Sequence, residues 1–396
     1  MKFKQSNFFL MDNVIQNYAW GSVDSMHSLF DIVNPQRLPQ AELWMGAHPN
    51  GCSHIWLESQ RIALCDFINS DPDAVLGSAA SFAEIPFLFK VLAAEKALSV
   101  QVHPNKNQAE TGFTREDLSG IARDADNRNY RDANHKPELV FALTPYQAMN
   151  GFRDLSAIYD DFAALHSAVL QDALTDFKVN LSEAGLALFF SAVLNLAQQQ
   201  KQQTIEQLLA YCAEQDATRH QLITELAKQY PGDIGLFSPL FLHIVTLQPG
   251  EAMFLNAGTP HAYIQGTALE IMANSDNVLR AGLTPKYIDV NELIDKTRFT
   301  SVNAEQLLLA PNTQLNSKHF PVPVADFCFS VYQQPQADDV AVKSAEILFA
   351  IDAPVFLEHM SGEKIAFNKG ESIFIPAYAQ AYKLSTTGTV ARAYNI

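Results

Sequence analysis

Pro249-Gly-Glu-Ala-Met-Phe-Leu-Asn-Ala-Gly-Thr-Pro-His261 reads as a glycine turn, a short apolar strand and a second turn that presents a histidine. A similar segment, Lys369-Gly-Glu-Ser-Ile-Phe-Ile-Pro-Ala-Tyr-Ala-Gln-Ala381, recurs 120 residues later. Gly250, Glu251 and Phe254 are matched by Gly370, Glu371 and Phe374, and Ala381 stands in the place of His261. Repetition of one turn–strand–turn unit predicts two copies of a small β-barrel, the second without its histidine.

Outward from these segments the period of the apolar residues changes twice. Residues 1 to about 150 read as short strands and turns, among them Glu84-Ile-Pro-Phe-Leu-Phe-Lys-Val-Leu92, an apolar strand entered through a proline. From Asp154, a candidate N-cap, Leu155, Ile158, Phe162, Leu165 and Val169 recur at the spacing of one helix face. Thr204-Ile-Glu-Gln207 has the form of a capping box, Gln198–Gln203 reads as a polar helix end or loop, and a last helix through Leu222, Ile223 and Leu226 should stop before Pro231-Gly232. Strand signals return at Leu240. The expectation is a mainly β chain with a helical insertion. Residues 1–152 and 236–310 form one barrel, 153–235 the insertion, and 319–396 a degenerate second barrel, with Pro311–Lys318 as a polar linker.

With 396 residues, 48% of them hydrophobic, the chain can bury a large core divided over two or three units. A net charge of −16 argues against a nucleic-acid or anionic-membrane surface, and leaves any anionic substrate dependent on a few local cations. Cys52, Cys65, Cys212 and Cys328 form no Cys-x-x-Cys pair and read as free thiols in a reducing compartment. The apolar run Phe8–Met11, behind Lys2 and Lys4, is too short for a signal-peptide core. Ala184–Leu194 falls short of a membrane span. A soluble cytoplasmic protein is expected, monomeric, with no nucleic-acid or membrane partner.

Three segments carry chemistry. Tyr130-Arg-Asp-Ala-Asn-His-Lys-Pro-Glu138 packs His135, Lys136 and Glu138 into four residues. If it is extended, Lys136 and Glu138 share a face. Ser99-Val-Gln-Val-His103-Pro alternates as a strand does, presenting Gln101 and His103, and Gly258-Thr-Pro-His261 adds a second imidazole. Gln101, His103, Glu138 and His261 together offer two nitrogens and two oxygens, a set that suits zinc and is compatible with manganese, cobalt or iron. His27, His48, His54 and His319 lie in turn-like or polar contexts and read as surface groups, His166 and His220 fall in the helical insertion, and His243 reads as a strand residue. No phosphate-cradling glycine loop and no serine or cysteine triad motif is present.

Tyr130–Glu138 resembles the signature of the type I mannose-6-phosphate isomerases, and so does the longer stretch from His261 through Glu270, Asp276 and Arg280 to Lys286. Asn17-Tyr-Ala-Trp-Gly21 and Glu42-Leu-Trp-Met-Gly46 extend the resemblance over most of the chain. It implies two cupin jelly-roll barrels plus a helical domain, and one zinc per chain on Gln101, His103, Glu138 and His261. The implied substrate is a sugar phosphate, with mannose 6-phosphate and fructose 6-phosphate interconverted through an enediol. That reaction needs an acid or base for ring opening, a base for the C1/C2 proton, and a stabiliser of oxyanion charge. Lys136 and Asp276 lead for proton transfer, with Glu270 flanked by Leu269 and Ile271. His135 is a candidate for ring opening, and Arg280 for the oxyanion. Asp276 and Arg280, four apart, are expected as neighbours on one turn. Ser99 and Lys106 are the candidates for phosphate. Rival readings are a metal cupin oxygenase and a non-catalytic sugar-binding cupin.

Overall fold

The computed structural model describes residues 6–57 and 59–396; Lys2 and Lys4 lie outside them. Among the described residues the strands form a ten-stranded, a nine-stranded and a four-stranded sheet, and the helices between Leu155 and Gln229 form a separate layer. The chain is thus mainly β with a helical insertion, as its two periodicities predict. Asp154 caps the first inserted helix, Leu155–Ala164, by accepting from the Ser156 and Ala157 N–H groups. The last, Thr218–Gln229, stops just before Pro231-Gly232. Gln198–Gln203 is the polar N-terminal end of helix Gln198–Cys212, and Thr204, expected to open a capping box, is internal to it, its hydroxyl donating to the Gln200 carbonyl. Glutamine is a good helix former, so a polar run need not be a break.

One strand organises the first barrel. His261–Ala273 pairs through His261–Gln265 with Tyr146–Phe152, and through Gly266–Ala273 with Phe87–Ala94. It changes partners at Gly266, whose φ of +121° and whose approach to the Pro145 carbonyl leave no room for a side chain. Its two ends therefore hold His261 and Glu270 in one barrel.

The second barrel repeats the first in register. Glu138–Ala142 pairs with Ala252–Leu255 so that Glu138 faces Leu255, and Glu346–Ala350 pairs with Ser372–Ile375 so that Glu346 faces Ile375. Val140 faces Glu270 on the other side as Leu348 faces Arg392, and Glu270 in turn faces Lys90 as Arg392 faces Ser330. Glu346, Arg392 and Ser330 are thus the counterparts of Glu138, Glu270 and Lys90.

The segment expected as a linker is a hairpin, Asn312–Gln314 with Ser317–Phe320, at the edge of the second barrel's sheet. Its polarity reflects an exposed edge, where charged and polar side chains are favoured. The barrels are also joined by Phe9–Asp12, which pairs with Ser372–Ile375 on one side and His54–Leu57 on the other.

Candidate metal centre

Strand register brings three predicted groups into one row. His261 faces Gln101, and Gln101 faces Arg280, across adjacent strands of one sheet. Directly paired residues share a face of the sheet, so the three side chains stand together. His103 follows Gln101 at the strand end, and Glu138 begins the strand beyond the signature loop. His103, Glu138 and His261 are buried, with ligand atoms all within 4.8 Å of one another.

The hydrogen bonds around the imidazoles fix what each can offer. His103 Nδ1 lies 2.7 Å from the Asn277 carbonyl and His261 Nδ1 2.9 Å from the Thr259 carbonyl. A carbonyl only accepts, so both Nδ1 atoms carry a proton and both Nε2 atoms are turned inward. Each Nε2 stands 3.4 Å from one Glu138 carboxylate oxygen, and the His103 Nε2 is buried without a hydrogen-bond partner. Burial lowers the His103 pKa to about 4, which keeps the ring neutral. Burial pushes the Glu138 carboxyl up, but the neighbouring Lys136 ammonium leads the effects that outweigh it and hold the group well below its ordinary range. Two inward-facing imidazole nitrogens and an ionised carboxylate, one of the nitrogens unsatisfied, fit a divalent cation. Gln101 donates its amide N–H to Ser99 Oγ at 3.2 Å, leaving its carbonyl oxygen as the fourth donor.

Below these groups is a cavity of about 60 Å³ lined by Glu42, Lys90, Gln101, Lys136, Glu138 and Glu270, among others. Lys136 Nζ lies 3.2 Å from Glu138 Oε1, as their shared face predicts. Glu270 is buried against Lys90 at 2.9 Å, and Glu42 stands 3.8 Å from the same ammonium. Burial raises the Glu270 pKa against the pull of Lys90, while the surrounding carboxylates overcome the burial of Lys90 and keep it protonated. Lys90 and Glu42 are polar groups missing from the sequence-based candidates. The readable signal was a lone lysine inside an eight-residue strand, Phe87–Ala94, that is buried throughout.

The other candidates separate. Arg280 sits on strand Leu279–Gly282, not on a turn with Asp276, and among the described residues no carboxylate pairs with it. Asp276 lies in the irregular stretch between strands His261–Ala273 and Leu279–Gly282, where no helical turn brings residues four apart together. Burial and the Arg131 charge lower the Arg280 pKa, and burial, Arg280 and Arg131 lower that of Lys286, so these three cations cluster. Asp276 instead accepts from Asn50 Nδ2 at 2.7 Å and lies 3.6 Å from His48 Nε2. His48 is therefore no surface group: it is 4% exposed and packed edge-on against Trp44. His135 leaves the Lys136 face and meets Asp326 of the second barrel at 2.9 Å. Ser99 lines the cavity, whereas Lys106 bonds Asn134 Oδ1 at 3.0 Å and lies 3.8 Å from Glu110. Asn277, fully buried, binds the backbone of Arg131, Asp132 and Asn134 and so locks the signature loop onto the Asp276 segment.

Comparison with known proteins finds related sequences and structures along almost the whole chain. Family models match for the phosphomannose isomerase type I catalytic domain at residues 8–155, its helical insertion domain at 163–242, and the mannose-6-phosphate isomerase cupin domain at 316–395. The chain is 46% identical over 390 residues to mannose-6-phosphate isomerase of Salmonella typhimurium, covering 97% of this chain and 98% of that one. It is 34% identical to the human mannose-6-phosphate isomerase, covering 93% of each. A crystal structure of zinc-bound mannose 6-phosphate isomerase superposes with a TM-score of 0.94 at 45% identity, over 98% of this chain and all of the other.

Proposed function

The chain belongs to the type I phosphomannose isomerase family, and from that membership we propose that it binds one zinc ion and interconverts mannose 6-phosphate and fructose 6-phosphate through an enediol. The observation that carries the reading is the buried His103–Glu138–His261 triangle, set in one row with Gln101 and Arg280. Gln101, His103, Glu138 and His261 hold the zinc, which when bound supplies Lewis-acid polarisation to a substrate oxygen.

The chain's own residues divide the remaining work. Lys136, beside Glu138 at the cavity wall, moves the proton between C1 and C2, with Glu270 and Lys90 as the buried acid–base pair beneath. Arg280 carries a charge that no carboxylate among the described residues pairs with, and faces the developing oxyanion. Arg131 and Lys286 extend that positive field outward, where with Ser99 they receive the phosphate; Lys106, tied to Asn134 and Glu110, plays a lesser part. Asp276, about one-third exposed, serves ring opening at the rim. His135, engaged by Asp326, steadies the Asn134–Glu138 segment instead of opening the ring. The same reading gives residues 1–152 and 236–310 the catalytic barrel, 153–235 the insertion and 319–396 the second barrel, in a cytoplasmic monomer.

Conversion of mannose 6-phosphate to fructose 6-phosphate tests the proposal. Turnover should vanish on chelation and return with one equivalent of zinc. A zinc-loaded protein without turnover would overturn it.

A further inference from the structure

We propose that His48 and Asn50 are positioning residues that aim the Asp276 carboxylate at the sugar for ring opening, an inference resting on the isomerase reading. His48-Pro49-Asn50-Gly51 is a tight turn closed by the Gly51 N–H to the His48 carbonyl at 3.0 Å. The turn is wedged against Trp44, where a Cβ on Gly51 would come within 2.7 Å of the indole. Within it the Asn50 backbone N–H donates to His48 Nδ1 at 3.2 Å. A backbone N–H only donates, so the neutral ring carries its proton on Nε2, the atom that faces Asp276 Oδ1.

Burial, Lys90 and Lys136 lower the His48 pKa against the pull of Asp276 and Asp132, so the ring remains a neutral donor. The second carboxylate oxygen takes the Asn50 amide, and the Asp276 backbone N–H donates to Asp132 Oδ2 at 2.7 Å. A partly exposed carboxylate is thereby met by one turn at both oxygens: Asn50 hydrogen-bonds Oδ2, and the buried His48 ring faces Oδ1 with Nε2 3.6 Å away. Trp44 continues the network inward: its indole N–H donates to Glu42 Oε2 at 2.5 Å, and its ring lies 5.5 Å from Lys90 Nζ. The rim and the cavity floor are thus built on the same Trp44.

In ring opening Asp276 takes the proton of the anomeric hydroxyl, the C1–O bond becomes a carbonyl, and the C1–O5 pair moves onto O5. O5 takes a proton from water, and the hydroxide left is neutralised by the Asp276 carboxyl proton.

The test uses full-length zinc enzyme with His48→Ala, His48→Gln and Asn50→Ala, assayed with mannose 6-phosphate and its C2-deuterated form. Asn50 is exposed, so its variant tests the idea even where His48→Ala folds poorly. We expect kcat per bound zinc to fall about tenfold or more in both alanine variants, with KM little changed. The deuterium effect should shrink toward one as ring opening becomes limiting, and His48→Gln, which keeps a donor, should recover part of the rate. Rates per zinc within twofold of wild type, or a loss that keeps or enlarges the deuterium effect, would overturn the positioning role. Wild-type protein without isomerase activity would instead overturn the reading on which it rests.

Discussion

His261 and Arg280 stand in one row with Gln101, and the roles proposed for them, metal ligand and oxyanion stabiliser, are separated by single substitutions. Replacing His261 with Ala removes one of two imidazole donors, so zinc content should fall to background, as read by metal analysis of purified protein. Full occupancy in that variant would sink the ligand assignment. Arg280→Lys keeps a positive charge but loses the planar fork. Zinc should be retained and turnover per zinc should drop about a hundredfold, the scale of losing an oxyanion donor. A normal turnover in whatever fraction stays folded would remove Arg280 from the chemistry. His103 adds a pH signature to the metal-free protein. Its folded pKa of about 4 lies below the ordinary 6.5, so the unfolded chain binds more protons between those values. The stability it contributes is present above about pH 6.5 and is lost as pH falls toward 4, on the order of 3 kcal/mol at most. Melting of apoprotein at pH 7 and pH 5 should show the decline, and His103→Leu should flatten it.

At the scale of strands, register predicts that the second barrel binds no metal. Glu346 occupies the place of Glu138, but its neighbour is Arg392 where the first barrel has Glu270. Arg392 Nε lies 3.0 Å from Glu346 Oε2, and Tyr382 donates to Glu346 Oε1 at 2.7 Å, much as Tyr263 donates to Glu138. The guanidinium supplies the positive charge that a cation brings to the first barrel, and Ser330 replaces a lysine no longer required. Arg392→Met should therefore cost about 3–5 kcal/mol by stranding a buried carboxylate, and adding Glu346→Gln should recover much of the loss. Denaturant midpoints decide this, with zinc staying at one per chain; a metal bound within 320–396 would refute it. The repeat was legible because turn glycines and Phe254/Phe374 survive at fixed spacing. The charge exchange was not, since Glu346, Arg392 and Ser330 meet only through cross-strand pairing. The same limit hid Lys90 and His48. The convergence of His103, Glu138 and His261 was foreshadowed because short motifs carry them, whereas Asp276's partners come from a turn 226 residues away.

Across the whole molecule one apolar cluster is shared by the two barrels. Phe320 and Phe329 lie 5.6 Å from Phe141, and Phe329 lies 6.0 Å from Phe89, ring centre to ring centre. Phe320, Phe327 and Phe329 are all buried in the cluster that also contains Leu139 and Ile271, neighbours of Glu138 and Glu270. Fully burying a phenylalanine is worth about 1.5–3 kcal/mol, so these three contribute roughly 5–9 kcal/mol, comparable to the net stability of a whole domain. The second barrel also supplies the partner strand of Phe9–Asp12 and the Asp326 carboxylate that holds His135. Deleting residues 311–396 would uncover this apolar face and an unpaired strand edge at once, the combination that drives aggregation. We expect the truncated chain to be insoluble or to bind no zinc, although every proposed metal ligand remains in it. The milder Asp326→Ala should leave a folded, zinc-bearing enzyme with reduced turnover, because only the hold on the Asn134–Glu138 segment is lost. Solubility, zinc per chain and turnover per zinc measure the three outcomes. A soluble, zinc-loaded and active truncation would show that the first barrel closes its core alone, and that the shared aromatic layer is dispensable.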